Sequence, residues 1–269
     1  MELWELSASE ITAKVRDRII SPVEVMEAFL DRINKLEPSL KAWVYLDTDQ
    51  AIAEAKTKET ELNSGKVLGP LFGVPIGVKD IYYTAGIPTT ACSKVFADFI
   101  PEHDATTVST LKEAGAIIIG KTVTTEFACA DPSPTINPWN PHHTPGGSSS
   151  GSAVAVSSRM CPVALGSQTV GSVLRPASYN GLVGFKPNFG RVSRYGVIPV
   201  SWTLDTMGWL VRTVEDAALL LQVLAGPDPN DPVSVKTAVP DYLSSLSKSS
   251  APKFGVLRGF FYDQADEQT

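Results

Sequence analysis

Three stretches of this chain place residues that can do chemistry on a polarised bond. Residues 146–152 (GGSSSGS) and 166–172 (GSQTVGS) set serines among glycines and bracket an apolar run, and Lys79 follows the apolar stretch 72–78 (FGVPIGV). Glycine lets the backbone turn tightly and lets a ligand approach main-chain N–H groups. A serine hydroxyl is a weak nucleophile until a base activates it. A flexible linker has a similar small, uncharged composition, but it lacks an embedded apolar run such as residues 153–156. The stretch therefore reads as a site.

The base is the next question. A Ser-His-Asp arrangement needs a histidine beside the serine, and the chain has His103, His142 and His143. His103 lies among Pro101, Glu102 and Asp104 and reads as a solvated loop residue. His142 and His143 adjoin the first serine loop in NPHHTPGG, where a general loop role fits better than a metal pair because no acidic residue is next to them. Lysine is the other base open to serine, provided that burial lowers its pKa enough to free the amine. Lys79, between Val78 and Asp80 with Ile81 beyond, is the natural candidate; the plainer reading is a strand-end lysine paired with Asp80. Residues 115–122 (GAIIIGKT) fit the phosphate-loop pattern, but Ala-Ile-Ile-Ile favours a strand, which would pair the very N–H groups that a phosphate needs.

The elements that must hold these residues are legible in outline. Ser7 with Glu10, and Ser21 with Glu24 and Pro22, have the spacing of helix N-termini. The second helix repeats apolar residues at Val25, Phe29, Ile33 and Leu36 and is expected to stop before Pro38. Residues 47–62 read as a third, solvent-facing helix. From Gly69 onward β-branched runs alternate with helical ones: a strand over 72–78, a helix over 106–113, a strand over 116–119, and a helix opened by Thr213 and Asp216 that runs to Gly226. Such alternation predicts an α/β fold, a mixed β-sheet covered by helices. Residues 253–261 (KFGVLRGFF) read as one more strand, and a polar helix is expected to begin at 266–269.

Composition bounds the function. A chain of 269 residues, 43% hydrophobic, builds one large domain or two small ones, and a net charge of −6 argues against a general nucleic-acid binder. No apolar run is long enough to span a bilayer, and the N-terminus lacks the pattern of a signal peptide. Cys92, Cys129 and Cys161 are odd in number and read as buried small hydrophobes of a reducing, cytoplasmic protein.

Taken together, the serine stretch, GVPIGVKD around Lys79 and GKTVTTEFA from Gly120 resemble the amidase signature family. That resemblance implies a Ser–Ser–Lys triad cleaving the C–N bond of an amide through an acyl-enzyme. By position, Lys79 matches the family lysine, Ser148 the bridging serine held by a cis peptide bond, and Ser172 the nucleophile. The backbone N–H groups of Thr169, Val170, Gly171 and Ser172 match the oxyanion hole, and Ser149 either supports the network by hydrogen bonding or serves structure alone. The implied division is a helical cover over 1–65, the catalytic core over 66–226, and a connection with the first strand of a C-terminal half over 227–269, so the domain is expected to be incomplete.

The chain also departs from the family pattern. Gln168 and Val170 stand in a loop where relatives often read Asp-Thr-Gly-Gly-Ser, and Arg175 lies one place later than usual. A β-branched Val170 narrows the pocket and strains the hole if that position needs φ > 0. This form is similar to the aryl-acylamidase and carboxybiuret-hydrolase members, although residues 190–197 (GRVSRYGV) are reminiscent of the amidase component of aminoacyl-tRNA amidotransferases. The expectation is a hydrolase of a small-molecule amide, without cofactor, metal, nucleic acid or membrane, with a homodimer left open. The alternatives are an inactive fragment and that component of an amidotransferase.

Overall fold

The computed structural model describes residues 2–65, 67–129, 132–247, 251–256 and 258–266. Capping chemistry starts the first helices where the sequence places them. In α1 (Ala8–Arg16) the Ser7 hydroxyl accepts the Glu10 N–H at 3.2 Å while the Glu10 carboxylate accepts the Ser7 N–H at 2.8 Å. Ser21 and Glu24 repeat this at α2 (Pro22–Leu40). That helix does not stop before Pro38. The helix carries Pro38 in its last turn, and the stop is made further on: Lys41 turns left-handed (φ 53°), and the Glu37 carboxylate accepts the N–H groups of Ala42 and Trp43.

The sheet then builds as β1 (Trp43–Leu46), β2 (Pro75–Lys79), β3 (Ile117–Thr122), β4 (Val163–Gln168), β5 (Val183–Phe185) and β6 (Thr206–Val211), in the order β1-β3-β2-β4-β6-β5. β3, β2 and β4 run parallel, with β1 antiparallel to β3, β6 to β4 and β5 to β6. Every residue of β2, β3, β4 and β6 is buried, as expected of strands covered on both faces. Period-two alternation divides them between two cores. Ile76, Val78, Ile118, Leu165 and Trp209 pack on one face, and Ile117, Ile119, Ala164 and Leu210 on the other.

Helices close both faces: α3 (Thr48–Asn63), α4 (Thr106–Glu113), α5 (Ser150–Ser157), α6 (Leu174–Asn180) and α7 (Val214–Leu224). α3 is less solvated than its composition suggests, burying Ala51, Ala55 and Leu62. At α7 Thr213 accepts the Asp216 N–H, and the buried Asp216 carboxylate reaches the start of α1 instead, accepting from Ala8 and Ser9 at 3.0 and 2.9 Å. An anion at a helix N-terminus is favoured by the unpaired N–H groups there. Two short helices, α8 (Tyr242–Ser245) and α9 (Phe260–Asp263), follow. The strand expected over 253–261 is absent among its described residues: 253–256 join no ladder and 260 opens a helix. Residues 267–269, most of the helix expected to begin at 266, lie outside the described residues. Of the cysteines only Cys161 is buried, Cys92 being half-buried and Cys129 exposed.

The GAIIIGKT segment is strand β3, paired to β1 and β2. Lys121, fully buried, donates to the Tyr82 carbonyl and the Thr89 hydroxyl, both at 2.6 Å, with Asp80 at 3.7 Å. Burial pushes its amine down to about 8, against the pull of Asp80. Lys121→Met leaves Asp80 buried without its cation and is expected to cost about 3 kcal/mol, read as a lower denaturant midpoint at unchanged m-value.

Candidate active site

The parallel strands β2, β3 and β4 end on the same side, and ligands of open α/β sheets bind outside such carboxyl ends. Lys79 is the last residue of the central strand β2 and is fully buried. Its amine lies 2.7 Å from Ser148 Oγ and 2.8 Å from Ser167 Oγ. Loss of hydration on burial brings its pKa down from 10.5 to about 7, with Asp205 and then Cys92 pulling the other way. A neutral amine has two N–H donors and one lone pair. It can donate to Ser167 while accepting the Ser148 proton.

Ser148 sits just before α5, in a loop that has little choice of path. Gly146 has φ 75°, the Gly147–Ser148 peptide bond is cis, and the Ser148 carbonyl accepts the Thr125 N–H at 3.1 Å. Gly151 lets α5 approach β1 and β3 closely: a Cβ there would meet the Ala42 carbonyl oxygen at 2.2 Å. The Arg175 guanidinium reaches across from α6, its Nε and Nη2 donating to the Gly147 carbonyl at 3.1 and 2.6 Å. Ser149 Oγ accepts the Ser167 N–H at 3.3 Å and donates to the Ser167 carbonyl at 3.4 Å, joining this loop to β4.

The second loop is stapled by Gln168, the last residue of β4. Its Oε1 accepts the N–H groups of Val173 and Leu174, both at 2.9 Å, and its Nε2 donates to the Val170 carbonyl at 3.1 Å. The amide, acceptor at one end and donor at the other, thus closes the loop on itself. Val170 is not among the non-glycine residues with positive φ and is 86% exposed. The strain expected of a β-branched residue there does not arise, and the side chain points to solvent. Among the described residues, the N–H groups of Thr169, Val170, Gly171 and Ser172 have no acceptor within the chain. Four successive donors left free beside a serine are available to a ligand oxygen.

Of the residues singled out from sequence, the structure joins Lys79 to Ser148 directly. Ser172 is half-buried, and its carbonyl accepts the Ser149 N–H at 3.3 Å, so the two serine loops are in contact. Among the described residues its hydroxyl makes no hydrogen bond to Ser148. Ser167 and Asp205 escape the sequence reading: Ser167 by standing inside a strand, Asp205 because nothing in TLDT marks it. A cleft of about 200 Å³ adjoins the cis loop, lined among others by Thr125, Ser133, Gly146, Gly147, Arg175 and Tyr179. His142 and His143 are exposed outside it, and among the described residues no group of acidic, cysteine or histidine side chains is gathered as for a metal. Nor is any described helix long and apolar enough to cross a membrane.

The Amidase family model matches residues 24–269. A glutamyl-tRNA(Gln) amidotransferase subunit from Carboxydothermus hydrogenoformans is 46% identical over 273 residues, which cover 99% of this chain and 56% of that protein. Among solved structures, the native peptide amidase from Stenotrophomonas maltophilia matches with a TM-score of 0.84 at 38% identity, over 90% of this chain and 53% of its own. The corresponding glutamyl-tRNA(Gln) amidotransferase subunit from Thermotoga maritima matches with a TM-score of 0.75 at 34% identity, over 89% and 51%. The chain spans about half the length of the relatives it matches.

These findings overturn the expected partner set, a small-molecule amide with no nucleic acid. Curated relatives at 41–46% identity are named as subunits of an enzyme of glutamyl-tRNA(Gln). The likeness to aryl-acylamidase members rests on a few residues around Ser172, whereas this identity extends over nearly the whole chain.

Proposed function

The chain belongs to the Amidase family, and from that premise we propose that it carries the amide-cleaving site of an aminoacyl-tRNA amidotransferase, working beside partner subunits. The observation that carries the proposal is the buried Lys79 amine, 2.7 Å from the Ser148 hydroxyl and brought down to about 7. In this reading neutral Lys79 takes the Ser148 proton while Ser148 takes that of Ser172, whose hydroxyl must turn toward it. Ser172 Oγ then attacks the amide carbonyl. Negative charge builds on the carbonyl oxygen, where the N–H groups of Thr169, Val170, Gly171 and Ser172 receive it. A single such donor is commonly worth about 2.7–4 kcal/mol. Collapse breaks the C–N bond only if the nitrogen leaves protonated, and the same hydroxyls return the proton from Lys79. Water, deprotonated by the same route, cleaves the acyl-enzyme and frees Ser172.

Similarity to the amidotransferase subunits supports glutamine as the amide and transfer of its nitrogen to a charged tRNA as the outcome. The test is release of ammonia from glutamine, together with amidation of glutamyl-tRNA(Gln), by the full-length protein with and without partner subunits. Glutamine-dependent amidation that needs those subunits is expected. Cleavage of simple amides by the isolated protein, with no response to partners or tRNA, would overturn the amidotransferase reading. An inactive 269-residue chain beside an active longer one would mark this chain as a fragment of the working enzyme.

A further inference from the structure

Among the described residues the Lys79 amine has two hydrogen-bond partners, Ser148 Oγ at 2.7 Å and Ser167 Oγ at 2.8 Å. One of them is the hydroxyl that it must deprotonate, so the other is the contact left to fix where the amine sits. A lysine carries its head group on a flexible four-carbon stem, and nothing in its own shape aims its lone pair. Ser167 is 7% exposed, and among the described residues its hydroxyl has this amine as its one partner.

Ser167 is itself held from several sides. Its main chain lies in the ladder of β4 and β6, opposite Met207. The Tyr82 hydroxyl donates to the carbonyl of the preceding residue, Gly166, at 2.6 Å. Ser149 Oγ accepts the Ser167 N–H at 3.3 Å and donates to the Ser167 carbonyl at 3.4 Å. Gly166 makes that approach possible, because a Cβ on it would lie 2.9 Å from Ser149 Oγ. Just beyond the strand the Thr169 hydroxyl donates to Asp205 Oδ1 at 2.5 Å, so the chain is tied on both sides of Ser167. A hydroxyl on so constrained a backbone offers the amine an acceptor in a fixed place.

The contact gains strength as the reaction proceeds. On taking the Ser148 proton the amine becomes an ammonium group, with three N–H donors and no lone pair. Ser167 then accepts a charge-assisted bond, about twice as strong as a neutral one. An interaction that strengthens as charge develops lowers the barrier instead of only binding the ground state.

We propose that Ser167 is a positioning residue: its hydroxyl holds the Lys79 amine with the lone pair free for Ser148, then accepts an N–H of the ammonium group formed when Ser148 gives up its proton. Ser149 acts one step behind, by fixing the Ser167 peptide. The proposal rests on the amide-cleaving reading and adds the group that aims its base.

The test compares the full-length parent with Ser167→Ala and with Ser167→Thr and Ser167→Val, a pair alike in shape that differs in the hydroxyl. Ser167→Ala and Ser167→Val are expected to lower kcat by about 10–100-fold, the worth of one hydrogen bond to a charged group, with KM unchanged. Fluorophosphonate labelling of Ser172 should slow by a similar factor. Ser167→Thr should recover most of both losses. Labelling of Ser167→Ala at the parent rate, or a threonine variant no faster than the valine one, would overturn the proposal. Should Ser167→Ala not fold, the Thr and Val variants decide alone.

A measurement without substrate separates this proposal from the reading beneath it. The drop in denaturant midpoint caused by Ser167→Ala should largely vanish in a Lys79→Met background, where the partner is already gone. An equal drop in both backgrounds would overturn the proposal. A parent that neither cleaves amides nor takes the label at Ser172, with that dependence on Lys79 intact, would sink the amide-cleaving reading and leave the Ser167–Lys79 pairing standing.

Discussion

Ser172→Ala is expected to reduce amide cleavage by about 10⁴–10⁶-fold, because the change removes the atom that would form the acyl-enzyme. The residual rate should still exceed the uncatalysed one, since the donors of residues 169–172 are backbone groups that the substitution leaves in place. Stability should change by less than about 1 kcal/mol: Ser172 is half-buried, and its hydroxyl holds no hydrogen bond among the described residues. Intact-mass analysis after treatment with a fluorophosphonate is expected to show one adduct on the parent chain, mapped to the peptide carrying Ser172, and none on the variant. An adduct of equal yield on Ser172→Ala would place the nucleophile elsewhere and dismantle the triad. Ser148→Ala, by contrast, should lose activity while the Ser172 residue remains present but unarmed, so labelling there becomes slow instead of absent.

Much of this site was visible in the sequence because its parts are local. Lys79 stands where an apolar strand ends, and Ser148 stands among glycines that a helix start and a close strand contact require. The helix Thr106–Glu113 and the strand Ile117–Thr122 likewise follow from patterns a few residues long. What stayed hidden depends on pairings across the chain. Ser167 meets Lys79 because β2 and β4 are neighbours, and Asp205 meets Thr169 because β6 runs back along β4. No spacing along the chain encodes either contact. The run at 253–261 misled for the opposite reason: its alternation is that of a strand, but a strand exists only with a ladder partner, and among the described residues it has none. The partner class escaped for a third reason. Gln168 and Val170 change the loop's letters while Gln168 still staples the loop from its own side chain, so a local departure carried less meaning than the similarity of the whole chain.

Lys79→Met separates what the buried amine does for chemistry from what it costs the fold. Loss of a positioned base is expected to lower the rate by about 10²–10⁴-fold, and the remaining activity should lack the rise through pH 7 expected of the parent as its amine, at about 7, becomes neutral. The stability effect has a sign that depends on pH. In the unfolded chain this lysine titrates near 10.5, in the folded one near 7. Between those values the unfolded state binds the extra proton, so the parent gains stability as pH rises from about 7 toward 10. Below pH 7 both states are charged and the fold bears the full cost of burying an ammonium group, about 4–5 kcal/mol relative to high pH. Methionine removes that cost at low pH but leaves the Ser148 and Ser167 hydroxyls without their partner, a loss of about 1–3 kcal/mol at any pH. The two stability curves should therefore cross: the variant is the more stable protein near pH 6 and the less stable one near pH 10. Lys121, lowered to about 8 by burial, adds a rise of its own to both proteins, so the difference between the curves isolates Lys79. Denaturant unfolding at several pH values reads this crossing directly. Parallel curves would mean that the amine keeps its proton in the folded chain at neutral pH, and a lysine that keeps its proton cannot take one from Ser148.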